Sequence, residues 1–227
     1  MNQHRSCRLR TRALLIAFAA VGGTQMHERA SAERGPAGPV TSVQTADSGG
    51  TVTDPRDARI YPIVSAAGMI WMGRNLDHAI DGAVCPRGDA KACEAEGRLY
   101  PWAAAMIACP AGWHLSSEDE WQRLERALGM SAVDLARERE RGPGLGDLLK
   151  LGGSTGLNFP LAGWRRPDGS FRIGNGNDRA AAIWTSTRVD ADSAWHRDLS
   201  SARTGIWRSP VPLAYSLSVR CVQDKRE

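Results

Sequence analysis

Cys109–Trp121 packs a cysteine, His114, the serines Ser116 and Ser117, and the acids Glu118, Asp119 and Glu120 into thirteen positions. Ser116, His114 and Asp119 have the residue types of a nucleophile, a base and its orienting acid. Their neighbours give these side chains other work. Ser117 and Glu120 form an S-x-x-E capping box, in which the serine oxygen accepts from the third helical amide and the glutamate reaches back to the cap. Three consecutive acids sit where a helix N-terminus favours negative charge. Trp121, Leu124 and Leu128 then recur at the spacing of a buried helical stripe. Glycosidase chemistry needs two carboxylates facing each other across a cleft, which acids on one helical turn do not supply. The stretch is expected to be architectural.

Three other sets are candidates. Asn175, Asn177 and Asp178 are a compact group of the oxygen donors calcium takes, but in a glycine-laced segment they fit a turn better. No metal ligand and no cofactor is assigned, with calcium as the alternative. Trp195 with Arg197, and Trp207 with Arg208, combine a flat aromatic face with a forked donor, a pairing that reads sugars or protein side chains. With the Asn175 set, they are the expected ligand contacts, carried on loops from about residue 165 to 213. Finally, Cys85, Cys93, Cys109 and Cys221 admit three disulfide connectivities, and their spacing is not that of a zinc site. Cys85 and Cys93 flank a polar loop and read as a local staple. Cys109 and Cys221 would then close nearly the whole domain.

The elements that must position these residues follow from periodicity and turn residues. Thr51–Asp54, Arg59–Val64 and Met69–Met72 read as a meander of short strands, with Pro62 arguing against a central place for the second. Ala103–Ala108 reads as one or two helical turns. A helix follows the capping box, another is expected from Ser131 to about Glu140 with Arg137–Arg141 solvated, and a short turn of helix over Leu145–Leu151. Leu157–Arg166 is an extended buried run. Ala180–Thr187, Ser193–Leu199, Thr204–Arg208 and Ala214–Val222 are strand candidates. In the last, Tyr215, Leu217, Val219 and Cys221 take one face in period two, and Ser216, Ser218 and Arg220 the other.

The chain carries a formal charge of +4 and a pI near 9.0, but the excess is local. Residues 1–32 hold five arginines and one acid, and beyond them the charges balance. No basic surface is left to argue for nucleic acid. Four of the arginines, Arg5, Arg8, Arg10 and Arg12, precede the apolar run Ala13–Val21, and Ala30-Ser31-Ala32 follows as a cleavage pattern, so residues 1–32 are expected to be a secretory signal peptide. The apolar run is about half the ~20 residues that span a bilayer, and no transmembrane segment is expected after cleavage. Residues 33–50, rich in Gly, Pro, Ser, Thr and Ala, are expected to be a flexible tether, and 51–227 one folded domain. Four cysteines in an exported chain favour disulfides.

Five motifs occur in order: Trp71-Met72-x-x-Asn75-Leu76, Cys109-Pro110-x-Gly112-Trp113-His114-Leu115-Ser116, Leu157-Asn158-x-x-Leu161-Ala162-Gly163-Trp164-Arg165, Trp184-Thr185-Ser186-Thr187 and Ser218-Val219-Arg220-Cys221-Val222. Together they resemble the Fibrobacter succinogenes major paralogous domain family, over about Thr51 to Asp224. The resemblance implies an extracytoplasmic, often surface-attached bacterial domain with no established activity. It also implies an α+β, C-type lectin-like fold, distantly similar to the formylglycine-generating and sulfatase-modifying group. In such a fold one or two helices pack on a small twisted antiparallel sheet, long loops carry ligand contacts, and a disulfide joins the helical region to the last strand. Cys109 and Cys221 fit that staple. The Cys85–Cys93 insert and the lack of a lipid-anchor cysteine depart from the family pattern. Formylglycine-type enzymes use a copper-binding cysteine pair, and no second cysteine stands near Cys221. The expected function is therefore a secreted, periplasmic or cell-surface binding domain without catalysis, for a glycan or protein ligand. A formylglycine-generating-type enzyme and a structural envelope or matrix protein are the alternatives.

Overall fold

A computed structural model describes residues 50–174 and 176–225. The expected signal peptide, all of the tether but Gly50, and Asn175 lie outside the described residues. In chain order come β1 (Thr51–Thr53), β2 (Ile60–Ala66), β3 (Met69–Met72), α1 (Ala90–Glu96), β4 (Leu99–Pro101), α2 (Trp102–Ala108), β5 (Trp113–Leu115), α3 (Glu118–Ala127), α4 (Ala132–Ala136) and β6 (Arg139–Arg141). Then follow α5 (Leu145–Leu149), β7 (Trp164–Arg165), β8 (Phe171–Arg172), β9 (Ala180–Arg188), β10 (Ser193–Ser200), β11 (Ile206–Pro212), β12 (Ser216–Ser218) and β13 (Cys221–Gln223).

The fold is α+β, but the strands form two sheets rather than one small one. A five-stranded antiparallel sheet runs β1-β2-β3-β13-β5, and a larger one runs β6-β11-β10-β9-β12-β7-β8 with β4 also on β12. β12 and β9 are parallel, and the other pairs are antiparallel. The expected single strand Ala214–Val222 is split because Val219 and Arg220 carry the chain from one sheet to the other: the Val219 carbonyl accepts from Leu76 N and the Arg220 carbonyl from Ser116 N. Both faces of this crossing are buried, so Ser216, Ser218 and Arg220 do not face solvent.

Pro62 sits inside β2, which is flanked on both sides, against expectation. The reason is local. The Pro62 carbonyl accepts from Gly73 N, just past the end of β3, so the missing N–H faces chain that has already left the ladder. Ile63 N, on the opposite side, bonds the Gly50 carbonyl.

α3 starts where the capping box places it. Ser117 Oγ accepts from Glu120 N at 3.3 Å and Glu120 Oε2 accepts from Ser117 N at 2.8 Å. Trp121 and Leu124 are buried, and Trp121 packs edge-on against Trp71 at 5.7 Å. The next helix is shorter than expected. α4 ends at Ala136, and Arg139–Arg141 turns into an edge strand on β11, with Arg141 buried rather than solvated. The segment between Cys85 and Cys93, expected as a loop, contains the start of α1, capped by the Asp89 side chain on Lys91 N.

β9 lies at the centre of the packing. Ala181 and Ile183 belong to a core with Trp71, Trp121 and Phe159, while Ala182 and Trp184 belong to a second core with Tyr100, Leu217 and Cys221. A strand buried on both faces explains the unbroken run Ala180-Ala181-Ala182-Ile183-Trp184. Cys85–Cys93 and Cys109–Cys221 are both disulfide-bonded.

Candidate functional site

Strand parity decides where the expected contacts go. On β10, Trp195 and Arg197 point to the α3 side, and His196 and Asp198 to the other. Arg197 is fully buried: it meets Glu118 at 2.7 and 3.0 Å and Glu125 at 2.6 Å. Arg208 reaches Glu118 Oε1 at 2.7 Å and lies 3.5 Å over the Trp195 ring. Arg141 Nη2 closes the group on Glu125 at 2.6 Å. Burial works against the Glu118 carboxylate, but the arginines outweigh it and hold its pKa below the ordinary value. These residues tie α3 to the large sheet, and Arg197 and Arg208 are strand residues rather than loop contacts. Asp178 accepts from Ser200 Oγ, Ser201 Oγ and Ala202 N, each within 3.1 Å, so it fastens the β10–β11 turn. Asn177 is exposed.

The other face of β10 forms one side of a cleft of about 340 Å³, walled by Trp164, Arg166, His196, Asp198, Tyr215 and Leu217. Register explains the gathering. His196 stands opposite Ser209 on β11 and Trp184 on β9, and Ser216 opposite Arg165 turns Tyr215, Leu217, Trp164 and Arg166 to a common face. The β9–β10 ladder shifts register beside His196, and Thr185 Oγ1 fills the gap by donating to the Trp195 carbonyl at 2.9 Å. Gly163, at φ +74°, lets the backbone pass so close to Arg172 that any Cβ would overlap its carbonyl oxygen, and this sets Trp164 at the cleft wall.

The polar groups of the cleft are unequally used. His196 Nδ1 is 2.8 Å from the Ser209 carbonyl. A carbonyl only accepts, so Nδ1 carries the proton. Burial, helped by the charge of Arg197 and opposed by that carbonyl, pulls the imidazole down to about 4. The ring is neutral at pH 7, and its Nε2 lone pair has no protein donor among the described residues. Asp198 Oδ1 accepts from Arg203 Nη2 at 2.5 Å. Burial, offset in part by Arg203, pushes this carboxyl up to about 6. Trp207 flanks the site, its Nε1 donating to Ser209 Oγ at 3.1 Å and its ring carrying Arg203 at 5.0 Å. The sequence marked Trp195 and Arg197, which the structure places on the α3 side with Arg197 buried in ion pairs, whereas the cleft face of the same strand carries His196 and Asp198 beside Trp164, Arg166 and Tyr215. The turn pair Asp168-Gly169 after Trp164-Arg165 was the available signal for Trp164 and Arg166.

Two further clusters hold titratable groups. Asp54, Asp57 and His78 bring ligand atoms within 4.8 Å of one another. Arg56 already occupies both Asp54 oxygens at 2.7–3.0 Å, and Arg59 reaches Asp57 and Asp77. This is an arginine-neutralised ion network, and no metal is assigned to it. His114 Nε2 is 2.9 Å from Glu120 and Nδ1 2.6 Å from Asp224, with Ser117 Oγ turned onto Glu120. Hydrogen bonding to Glu120, against burial and with help from Asp224, raises His114 to about 9. A protonated ring between two carboxylates is a clamp on the C-terminal strand and cannot serve as a base for Ser116, whose Oγ accepts from Trp121 Nε1 at 3.0 Å.

The first, third and last of the quoted motifs converge on the Arg220 side chain. Its guanidinium donates to Asn75 Oδ1 at 2.9 Å, to the Met72 carbonyl at 2.9 Å and to the Leu157 carbonyl, and stacks 3.8 Å over Phe159. Three of the five sequence motifs thus meet in one buried cage. Among curated proteins and solved structures nothing matches the chain. A family model described as the Fibrobacter succinogenes major domain matches residues 64–223, which spans β3 to β13 and the whole Arg220 cage, and the chain belongs to the Fibrobacter succinogenes major domain family.

Proposed function

We propose that this chain is an extracytoplasmic, non-enzymatic recognition domain that takes its ligand in the cleft between β10, β11, β12 and β7. The observation that carries this reading is the contrast between the two faces of β10. On one, every charge is consumed by ion pairs to α3. On the other, His196 and Asp198 line a concavity whose ~340 Å³ falls in the range of small-molecule sites. Two disulfides favour an oxidising compartment outside the cytoplasm. They also weigh against the formylglycine-type alternative, because Cys221 is bonded to Cys109 and no thiol is left for copper among the described residues. A C-type lectin-like arrangement is consistent with α3 packed on strands and a staple from the end of α2 to β13.

Immobilised glycan and peptide panels test the proposal with the full chain. Binding by the wild type should fall in Trp164→Ala and Arg166→Ala and persist in Trp195→Ala, which alters the α3 side. Loss in Trp195→Ala with retention in the first two would move the contact surface off the cleft. Binding to nothing on either panel would favour a structural envelope protein instead.

A further inference from the structure

Resting on that reading, we propose that the cleft holds one neutral sugar ring, whose adjacent hydroxyls donate to His196 Nε2 and Asp198 while its C–H face lies against Trp164. The acceptors come first. His196 presents Nε2 as a lone pair because Nδ1–H is committed to the Ser209 carbonyl. Asp198 offers Oδ2, which has no protein donor among the described residues, while Oδ1 is taken by Arg203. Two acceptors in a partly desolvated wall call for donors from outside. Alternate residues on one strand face stand about 7 Å apart, an interval that two neighbouring hydroxyls bridge with a hydrogen bond at each end.

Charge then narrows the class. Asp198 is already paired with Arg203, and Asp178, the next acid toward it, is held by Ser200, Ser201 and Ala202. Arg166 adds a further positive charge to the lining. A cationic ligand would meet Arg166 and Arg203. An anionic one would meet the Nε2 lone pair and the Asp198 carboxylate. A neutral polyol meets neither penalty, and Arg166 can still donate to its ring or hydroxyl oxygens. The aromatic walls, Trp164 and Tyr215, offer flat faces to C–H groups. Shape disfavours a peptide: β11, the strand at the rim, is covered by β6 at Ile206–Arg208, and the part beyond carries Pro210 and Pro212, which lack the N–H groups that strand addition needs.

The experiment is a nitrogen-15 NMR titration of the full chain with four probes: methyl hexopyranosides, butylammonium, acetate and trialanine amide. The expected result is that hexosides move His196 Nε2 and the Trp164 indole signal, leave Nδ1 unchanged, and bind with affinity on the order of 1 mM, as for a single small ring. Asp198→Asn should weaken that binding about tenfold by removing a charge-assisted hydrogen bond. The wild-type titration does not depend on that variant folding. Cleft shifts with butylammonium, acetate or the peptide but with no hexoside would overturn the sugar assignment and leave the cleft a binding site. No cleft shift with any probe would overturn both.

Discussion

Arg220 is a buried charge with no carboxylate paired to it among the described residues. Its compensation is a set of oriented dipoles, from the Asn75 amide and the carbonyls of Met72 and Leu157, with the Phe159 ring below. A lysine cannot reproduce this fork, and a methionine leaves three acceptors dry. Arg220→Met and Arg220→Lys should each lose about 3 kcal/mol or more by urea denaturation; a loss under about 1 kcal/mol in both would show the cage to be incidental. His114 makes a separate, pH-dependent contribution. Its pKa is raised in the folded state to about 9 from an ordinary 6.5, so the folded protein binds the proton more tightly. The stabilisation is complete below about pH 6.5 and disappears as the pH rises through about 9. The ring is partly exposed, with its side chain at 39%, so solvent screening keeps the effect to about 1 kcal/mol at most. Wild type should therefore lose stability relative to His114→Gln between pH 6.5 and 9.5, and parallel pH profiles of the two would remove the clamp.

Among the elements, the two disulfides differ in the length of chain they close. Cys109–Cys221 spans 112 residues and Cys85–Cys93 spans 8. In the chain-entropy picture the first contributes about 4–5 kcal/mol and the second about 2–3. Cys109→Ser/Cys221→Ser should thus lower the thermal midpoint well beyond Cys85→Ser/Cys93→Ser, and equal losses would contradict the loop-length argument. The β7–β8 hairpin depends on Gly163, where φ is positive and a side chain has no room. Gly163→Ala should displace Trp164 and remove cleft binding, whereas Gly112→Ala, at positive φ but open to solvent, should leave binding intact. Local signals made some elements legible in advance. The capping box located the start of α3, and cysteine spacing suggested both pairs. What failed was decided at long range. Arg139–Arg141 looked like the end of a charged helix because nothing nearby reveals that Glu125 draws Arg141 inward. The Trp195–Asp198 segment was noticed, but its facing depends on which side of β10 meets α3. A one-residue change of parity exchanges the cleft wall for core ion pairs.

Across the molecule, the described domain is roughly 175 residues, above the size at which two-state unfolding is the rule, and it contains two hydrophobic cores. Several ties oppose their separation. β9 sends alternate side chains into each core, so neither can lose the strand alone. The chain passes from β12 in one sheet to β13 in the other through Val219 and Arg220, and the Cys109–Cys221 bond fastens α2 to that crossing. Glu118 and Glu125 lock α3 to β10, β11 and β6, and removing either acid would strand buried arginines. Together these ties predict a single cooperative transition. The tryptophans sample both cores, Trp71 and Trp121 in the first and Trp102, Trp113 and Trp184 in the second, so urea unfolding of the wild type can be followed by their summed fluorescence against far-ultraviolet circular dichroism. The two probes should give one midpoint and one slope. Fluorescence and dichroism curves that part company would show that the cores unfold independently and that β9 does not couple them. The same coupling bears on the cleft, whose floor is built from Ala182 and Leu217 of the second core. A ligand bound there should raise the midpoint of both curves together, in proportion to the logarithm of its concentration above its dissociation constant.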